Sequence, residues 1–407
     1  MKKHKQRIVI VGGGFGGVKV AVDLLKKDDQ FDITLISEHD TFRYYPSLYH
    51  TATGGSRKVS SIPLVELIDP SRINIVKAKV VKLERGYKYV LTNDGQEIHY
   101  DYLVLSLGVI TNYFGIKGLE EYAFGIKTLH DAEKLKVHLH QQIIDESKPD
   151  LNYVVVGGGP TGIELAGVLG EYVQYICDKH GIKRKSVHVD LVESNPRLVP
   201  RMPAEIGKKI AKQLRSRGVK LYFKSVVQAQ DDDELFVNGK PIRSHTVIWT
   251  AGMANNPFFA EQGFQLNKFG RVRVDQYLQS EPSIFVIGDN ADTPYSGMAQ
   301  TAIYDGAYIA KSLYTIIVDQ KTPKPYSAKK PIYVMPAGPS WAAVQWGPVR
   351  LYGRIGWALR RAADFIGYKD YESFFKATRH WLAEYDREDL CVHCQPEESV
   401  LEERAAF

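Results

Sequence analysis

One arrangement occurs twice in this chain, and it leaves few folds open. An apolar, β-branched run, Arg7 to Val11, leads directly into Gly12-Gly13-Gly14-Phe15-Gly16-Gly17. A helical pattern follows from Val18 to Lys27, then a second strand, Asp32 to Ser37, closing on Glu38. Beginning 145 residues further on, the same order returns: Tyr153 to Val156, then Gly157-Gly158-Gly159-Pro160-Thr161-Gly162, a helix from Ile163 to about Asp178, and the strand Val187 to Val192 closing on Glu193. Apolar runs of strand length, glycine turns and 3.6-period stretches in this alternation imply parallel sheets joined by crossover helices.

Each loop fits a chemical demand. The first glycine (Gly12, Gly157) permits the tight turn and the second (Gly14, Gly159) lets a pyrophosphate approach the backbone. The third (Gly17, Gly162) lets helix and strand pack closely. The phosphates then meet unpaired N–H groups and the positive end of a helix dipole. Glu38 and Glu193 stand where an acid accepts from ribose hydroxyls. A carboxylate there repels a 2′-phosphate, so Glu193 predicts NADH rather than NADPH at the second loop, with Arg197 near enough in sequence to soften the exclusion. The fold expected is α/β, with two Rossmann-type dinucleotide-binding domains, the second inserted into the first, and a C-terminal amphipathic helical region. With 407 residues there is length for two or three domains.

Composition removes other classes. The chain is 44% hydrophobic and 25% charged, a globular balance. It has no run of 18 apolar residues, so no spanning helix is expected. The basic start, Met1 to Arg7, runs straight into a strand with no signal-peptide core, which predicts a cytoplasmic protein. Three cysteines (Cys177, Cys391, Cys394) are too few for a disulfide framework. Cys177 reads as a small buried hydrophobe, and Cys391-Val392-His393-Cys394 lacks the further ligands a zinc site needs, so no metal is expected. A formal charge of +6 does not by itself imply nucleic acid.

The paired fingerprints resemble flavoproteins with two dinucleotide-binding domains, in which FAD occupies the first and NAD(P)H the second. Further stretches carry the resemblance: Tyr102 to Gly108 and Val247 to Gly252 are similar to the two interdomain crossover turns. Ile284 to Asp289 is similar to the second FAD motif, whose Asp contacts the ribityl chain. The absence of any cysteine before Cys177 excludes the disulfide reductases of that group. Thr41 to Gly55 resembles the segment of type II NADH dehydrogenases that packs beside the isoalloxazine. Met298 to Tyr304 resembles their quinone-side motif, Ala-Gln-x-Ala-x-Gln, with Tyr304 replacing the last Gln.

The resemblance implies FAD contacts from Gly12, Gly14, Phe15, Gly16, Gly17, Glu38, Pro46, Val80, Gly108, Asp289 and Ala299. It implies NAD(H) contacts from Gly157, Gly159, Pro160, Thr161, Gly162, Glu193 and Gly252. Glu164, one turn into the second helix, would reach the nicotinamide, and Gln300 and Tyr304 would line the quinone face. The implied domains are 1–117 with 257–330 for FAD, 118–256 for NAD(H), and 331–407 for membrane contact or dimerisation. The implied activity is hydride transfer from NADH to FAD and two electrons onward to a membrane quinone, without proton pumping. The alternatives are a soluble NAD(P)H-dependent reductase for another acceptor, or a redox-sensing flavoprotein similar to apoptosis-inducing factor.

The C-terminal stretch has its own signature. From Tyr326 to Tyr385 there are nine Lys/Arg against four acids, together with four of the five tryptophans. Tyr352, Ile355, Leu359, Ala362 and Ile366 recur at helical spacing, with Arg354, Arg360, Arg361 and Asp364 on other faces. A second set runs Tyr371, Phe374, Phe375, Trp381, Leu382 and Tyr385. Such helices ordinarily pack into a core or a homodimer seam. The Trp and Arg enrichment favours instead a helix lying in a bilayer interface among anionic headgroups, on the cytoplasmic face of the cell membrane.

Overall fold

The structure is a computed structural model that describes residues 5–27, 30–145, 152–183 and 187–388. Cys391, Cys394 and the acidic end of the chain lie outside the described residues.

The chain opens with a parallel sheet of strands β1 (Gln6–Val11), β2 (Phe31–Ser37), β3 (Ile73–Lys77) and β4 (Tyr102–Leu105), and helix α1 (Phe15–Leu25) follows β1. In space the order is β3-β2-β1-β4, and a three-stranded antiparallel meander precedes β4 in the chain. The second unit repeats this plan with β5 (Asn152–Val156), β6 (His188–Glu193), β7 (Val219–Phe223) and β8 (Thr246–Trp249), in the order β7-β6-β5-β8. Helix α2 (Pro160–Lys179) follows β5, and another antiparallel meander precedes β8. The chain then returns to the first sheet, where β10 (Ile284–Val286) pairs in parallel with β4 and β9 (Gln279–Glu281) forms the antiparallel edge. The strands of the second sheet therefore fall between those of the first. Both sheets carry near-continuous apolar strands, because helices cover one face of each and the antiparallel meander covers the other: Ile8, Ile10, Leu35 and Val104 are buried in one, Val154, Val155, Leu191 and Ile248 in the other. Cys177 is buried in the core around α2.

Helix α3 (Ala299–Ile317) packs along α1, where a Cβ on Gly306 would come within 2.6 Å of the Gly16 carbonyl oxygen. A three-stranded antiparallel sheet over Tyr333–Tyr352 leads to α4 (Gly353–Lys369) and α5 (Phe374–Leu382).

Helix α4 is inverted relative to the usual pattern, and the core-packing reading of its apolar stripe is thereby corrected. It buries Gly356, Arg360, Arg361, Asp364 and Tyr368. Ile355 and Ile366 are 64% and 60% exposed, and Phe374 and Phe375 at the start of α5 are 56% and 84% exposed. The inward charges are tolerated because they are paired. Arg360 bridges Asp364 one turn on, and Arg361 bridges Glu384 while its guanidinium lies over Trp381 and Tyr385. The inner face also reaches the glycine loop of the first unit: Tyr371 donates its hydroxyl to the Phe15 carbonyl at 2.9 Å. Tyr368 stacks on Tyr44 with ring centroids 4.4 Å apart and donates to the Val59 carbonyl.

Candidate functional site

The two glycine loops are geometric copies. Gly12 and Gly157 have φ of +116° and +117°, conformations that side chains other than glycine rarely adopt. A Cβ on Gly17 would lie 2.0 Å from the Gly12 carbonyl oxygen, and one on Gly162 would lie 2.0 Å from that of Gly157. A Cβ on Gly14 or Gly159 meets nothing within 4 Å. Those two glycines are the N-caps of α1 and α2, neither of which has a side-chain cap or an acid in its first turn. Each helix thus presents open first-turn N–H groups over a cradle that a side chain would fill, which suits a pyrophosphate. Pro160 and Thr161 form the first turn of α2, Phe15 and Gly16 that of α1.

The strand registers separate the two acids. Val11 pairs with Ile36, and Val156 pairs with Val192, so Glu193 corresponds to Ser37 and not to Glu38. The strand β2 ends at Ser37, and Glu38 is exposed one residue beyond it. Glu193 is buried: one carboxylate oxygen accepts the Gly158 N–H at 2.6 Å, and the other accepts the backbone and side-chain amides of Asn195 at 2.7 and 2.6 Å. The carboxylate braces the second loop from beneath. Arg197 is engaged too, donating to the carbonyls of Met202 and Pro200 at 2.7 and 2.6 Å.

Asp289 follows β10 in a short turn. Gly288, at φ +68°, donates its N–H to Asp305, and Ser296 donates to its carbonyl. Asp305 is fully buried and also accepts from Tyr326; burial pushes its carboxyl up to about 6 against those two hydrogen bonds. Burial likewise raises Asp289, opposed by Lys127 and Arg271. Asn290 ties this turn to Gly108, exchanging hydrogen bonds with its N–H at 2.9 Å and its carbonyl at 2.7 Å. The residues after Gly108 and Gly252 pair as a two-stranded antiparallel link, Val109–Thr111 with Met253–Asn255. Val80 is buried in the first meander, close after Ala78, whose N–H donates to the Ser37 carbonyl. Asn290, Asp305 and Lys127 carry no motif of their own, and their roles emerge only when distant turns meet.

The segment Thr41 to Gly55 forms a short strand, a 3₁₀ turn at Tyr45–Ser47 and a helix at Leu48–Ala52. It is held by the inner face of α4. Arg360 donates to the Pro46 carbonyl at 3.0 Å, and Tyr44 donates to Asp364 at 3.2 Å. Glu164 lies within electrostatic reach of the same pair. Burial raises its carboxyl to about 8, with Arg360 pulling it down and Asp364 pushing it up. At neutral pH Glu164 therefore holds a proton. Sequence placed Glu164 and Pro46 in a site but assigned Arg360 and Asp364 only to the far side of an amphipathic helix.

Ala299 begins α3, which has no side-chain cap and no acid in its first turn. Gln300 accepts the Ile332 N–H at 2.8 Å. Tyr304 is partly buried, with the Lys329 amine 5.0 Å from its ring centre, and burial together with Asp370 raises its hydroxyl.

Residues 6–306 match the family model for pyridine nucleotide-disulphide oxidoreductases. The chain belongs to that family. Among curated proteins it is similar to the type II NADH:quinone oxidoreductase of Staphylococcus saprophyticus, 29% identical over 345 residues covering 79% of this chain and 85% of the relative. The protein of the same name from Staphylococcus aureus is 26% identical over the same shares. Among solved structures, NDH2 from Plasmodium falciparum in complex with NADH superposes with a TM-score of 0.83 at 18% identity, covering 95% of this chain and 100% of that one. The sulfide:quinone oxidoreductase of Aquifex aeolicus gives 0.73 at 20% identity, covering 93% and 91%. The fold is shared with both.

Proposed function

We propose that the chain is a type II NADH:quinone oxidoreductase that binds FAD at the Gly12–Gly17 loop and NADH at the Gly157–Gly162 loop. The duplicated cradle carries this reading, supported by family membership and by curated relatives that bear that name across most of their length. FAD, when bound, supplies the redox chemistry, accepting hydride from NADH and releasing two electrons to the acceptor. The first-turn N–H groups of α1 and Gly14 hold its pyrophosphate, Asp289 its ribityl chain and Glu38 its ribose. Phe15, Gly16, Pro46, Val80, Gly108 and Ala299 line the same site. The N-terminus of α2, with Gly159, Pro160 and Thr161, holds the NADH pyrophosphate, and Gly252 closes that side. Glu193 sets its side chain under the adenosine ribose where a 2′-phosphate would have to lie, while Arg197 is spent on backbone carbonyls, so NADH is preferred over NADPH. Glu164 orients the nicotinamide end and holds a proton there at neutral pH. Gln300 and Tyr304 line the acceptor side.

In this reading the FAD-binding domain spans 1–117 with 257–330, the NAD(H)-binding domain spans 118–256, and 331–407 form the membrane-interface or dimerisation region. Among the described residues no helix is long and apolar enough to cross a membrane. The outward apolar stripe of Ile355, Ile366, Phe374 and Phe375 supports peripheral attachment to an anionic membrane on its cytoplasmic side, beside a lipid-soluble quinone, and no nucleic acid or metal takes part. The test is turnover of NADH with a long-chain quinone in anionic vesicles against turnover with a soluble dye. Strong preference for the vesicle-borne quinone is expected. Equal rates, unaffected by lipid, would instead identify a soluble reductase or a redox sensor, and a homodimer seam would explain the stripe if the protein ignores vesicles and elutes as a dimer.

A further inference from the structure

Beyond the 3₁₀ turn Ala383–Tyr385 that follows α5, Arg387 and Glu388 form a short strap gripped by both units. On one side lies the loop Gly54 to Arg57 of the first unit. Arg387 makes an antiparallel bridge with Gly55, the Ser56 N–H donates to the Asp386 carbonyl at 3.1 Å, and the Glu388 N–H donates to the Gly54 carbonyl at 2.9 Å. The Glu388 carboxylate accepts three more hydrogen bonds. One oxygen takes the Ser56 hydroxyl at 3.0 Å and the Arg57 N–H at 2.8 Å, and the other takes Arg57 Nε at 2.7 Å. On the far side stand two helices of the second unit. Lys136 of the helix Leu129–Asp145 is 1% exposed and donates to the Glu388 carbonyl at 2.7 Å. The Arg387 guanidinium lies 4.1 Å from the ring centre of Tyr175 in α2. The same loop presses on α2 directly, since a Cβ on Gly54 would come within 2.4 Å of the Tyr172 ring.

Apolar packing also joins the units here, for Leu48, Tyr49 and Ala52 share a core with Leu135, Leu139 and Tyr172. Such packing is non-directional: it resists separation but leaves small slides and rotations cheap. Hydrogen bonds fix distance and angle, and those to a carboxylate are the stronger kind. Resting on the FAD and NADH readings above, we propose that Arg387–Glu388 is a staple between the two units and that Glu388 is a positioning residue for hydride transfer, setting the angle at which the nicotinamide meets the flavin. It acts through Ser56 and Arg57 on one side and Lys136 on the other, not by contact with either cofactor. The elements it joins are the relevant ones. The loop ends the Thr41 to Gly55 segment, and α2 carries the Gly159 cradle at its N-terminus.

The experiment uses the full-length protein as purified, comparing Glu388→Ala, Glu388→Gln and Lys136→Met with the parent. Circular dichroism verifies folding and the visible spectrum gives bound flavin per chain. Anaerobic stopped-flow mixing then reads two rates in each: flavin bleaching at saturating NADH, and recovery of the reduced enzyme with a short-chain quinone. A misplacement of 1 Å costs a transfer step about a hundredfold, so a loosened staple is expected to slow bleaching about tenfold in Glu388→Ala. Recovery should stay at the parent rate, because only the first step spans both units. Glu388→Gln keeps an acceptor oxygen for Ser56 and Arg57 and should regain most of the bleaching rate. Lys136→Met cuts the staple from the other side and should slow bleaching as Glu388→Ala does. Bleaching at the parent rate in Glu388→Ala, or both rates falling together, overturns the proposal. If Glu388→Ala does not fold, Lys136→Met decides by the same two rates. A parent protein that holds no flavin, or whose flavin NADH does not bleach, would refute the cofactor readings themselves, whatever the variants do.

Discussion

Replacing Arg360 by methionine isolates the inverted helix. The change removes the partner of Asp364, which is 2% exposed, and the donor to the Pro46 carbonyl. Breaking a buried pair from one side costs about 3–5 kcal/mol. Protonation offers Asp364 an escape, and its cost can be worked out separately. Neutralising a carboxyl of ordinary pKa near 3.9 at pH 7 takes about 4 kcal/mol, at 1.36 kcal/mol per unit, and less at lower pH. The two routes agree, and the second predicts a deficit that shrinks as the pH falls from 7, by about 1.4 kcal/mol per unit for as long as Arg360 keeps the parent's Asp364 ionised against the burial that raises its carboxyl. The assay is urea unfolding followed by tryptophan emission, which reports this end of the chain because it holds four of the five tryptophans. Arg360→Met should unfold at markedly lower urea at pH 7 than the parent, with the gap narrowing at pH 5. The double variant Arg360→Met/Asp364→Leu should recover to within about 1 kcal/mol, since both charges are gone. A single variant within about 0.5 kcal/mol of the parent at pH 7, or a deficit equal at both pH values, would refute the argument that Asp364 is held ionised by Arg360.

Other outcomes follow from the same geometry. Gly159→Ala should leave stability untouched yet raise KM for NADH, because its methyl enters the open cradle. Gly162→Ala should destabilise by about 1–3 kcal/mol, because its methyl meets the Gly157 carbonyl; denaturation midpoints and steady-state kinetics separate the two. Glu164 has a raised folded pKa, so the folded state binds more protons between about 4.5 and about 8, and its contribution to stability is lost as pH rises through that window. Glu164→Gln should therefore flatten the stability profile there, seen as a smaller fall in unfolding midpoint on going from pH 6 to pH 9. Ile366→Asp with Phe375→Asp should weaken sedimentation with anionic vesicles by about a hundredfold or more, since each side chain buries about 1.5–3 kcal/mol of apolar transfer energy. Unchanged partition would remove the bilayer role of α4 and α5.

The glycine loops were legible in the chain because their demands are local: a turn at positive φ, an open cradle and a close helix-strand contact each require glycine at a fixed offset. Helix limits moved by only a few residues, with α1 beginning at Phe15 rather than Val18 and α2 at Pro160 rather than Ile163. What periodicity could not reveal was the direction of α4. A moment shows which residues share a face, but Arg360 and Asp364 four apart read equally as a solvated pair or a buried one. The decision lies with Tyr44, Pro46 and Glu164, more than a hundred residues away in the chain. The acids illustrate a second limit. Glu38 and Glu193 both follow a strand and look alike in sequence, but strand register sets Ser37, not Glu38, opposite the loop position that Glu193 occupies. Asn290 was invisible for a similar reason: it acts through Gly108, which only the folded topology brings near.

The proposed relay runs from NADH at one glycine loop through a flavin at the other to a quinone. Anaerobic stopped-flow mixing tests it most directly, following the visible flavin band first against NADH and then, in the reduced enzyme, against a short-chain quinone and against oxygen. Rapid bleaching by NADH and recovery faster with quinone than with oxygen are predicted. A flavin band that NADH does not bleach, or that quinone restores no faster than oxygen, would contradict the account.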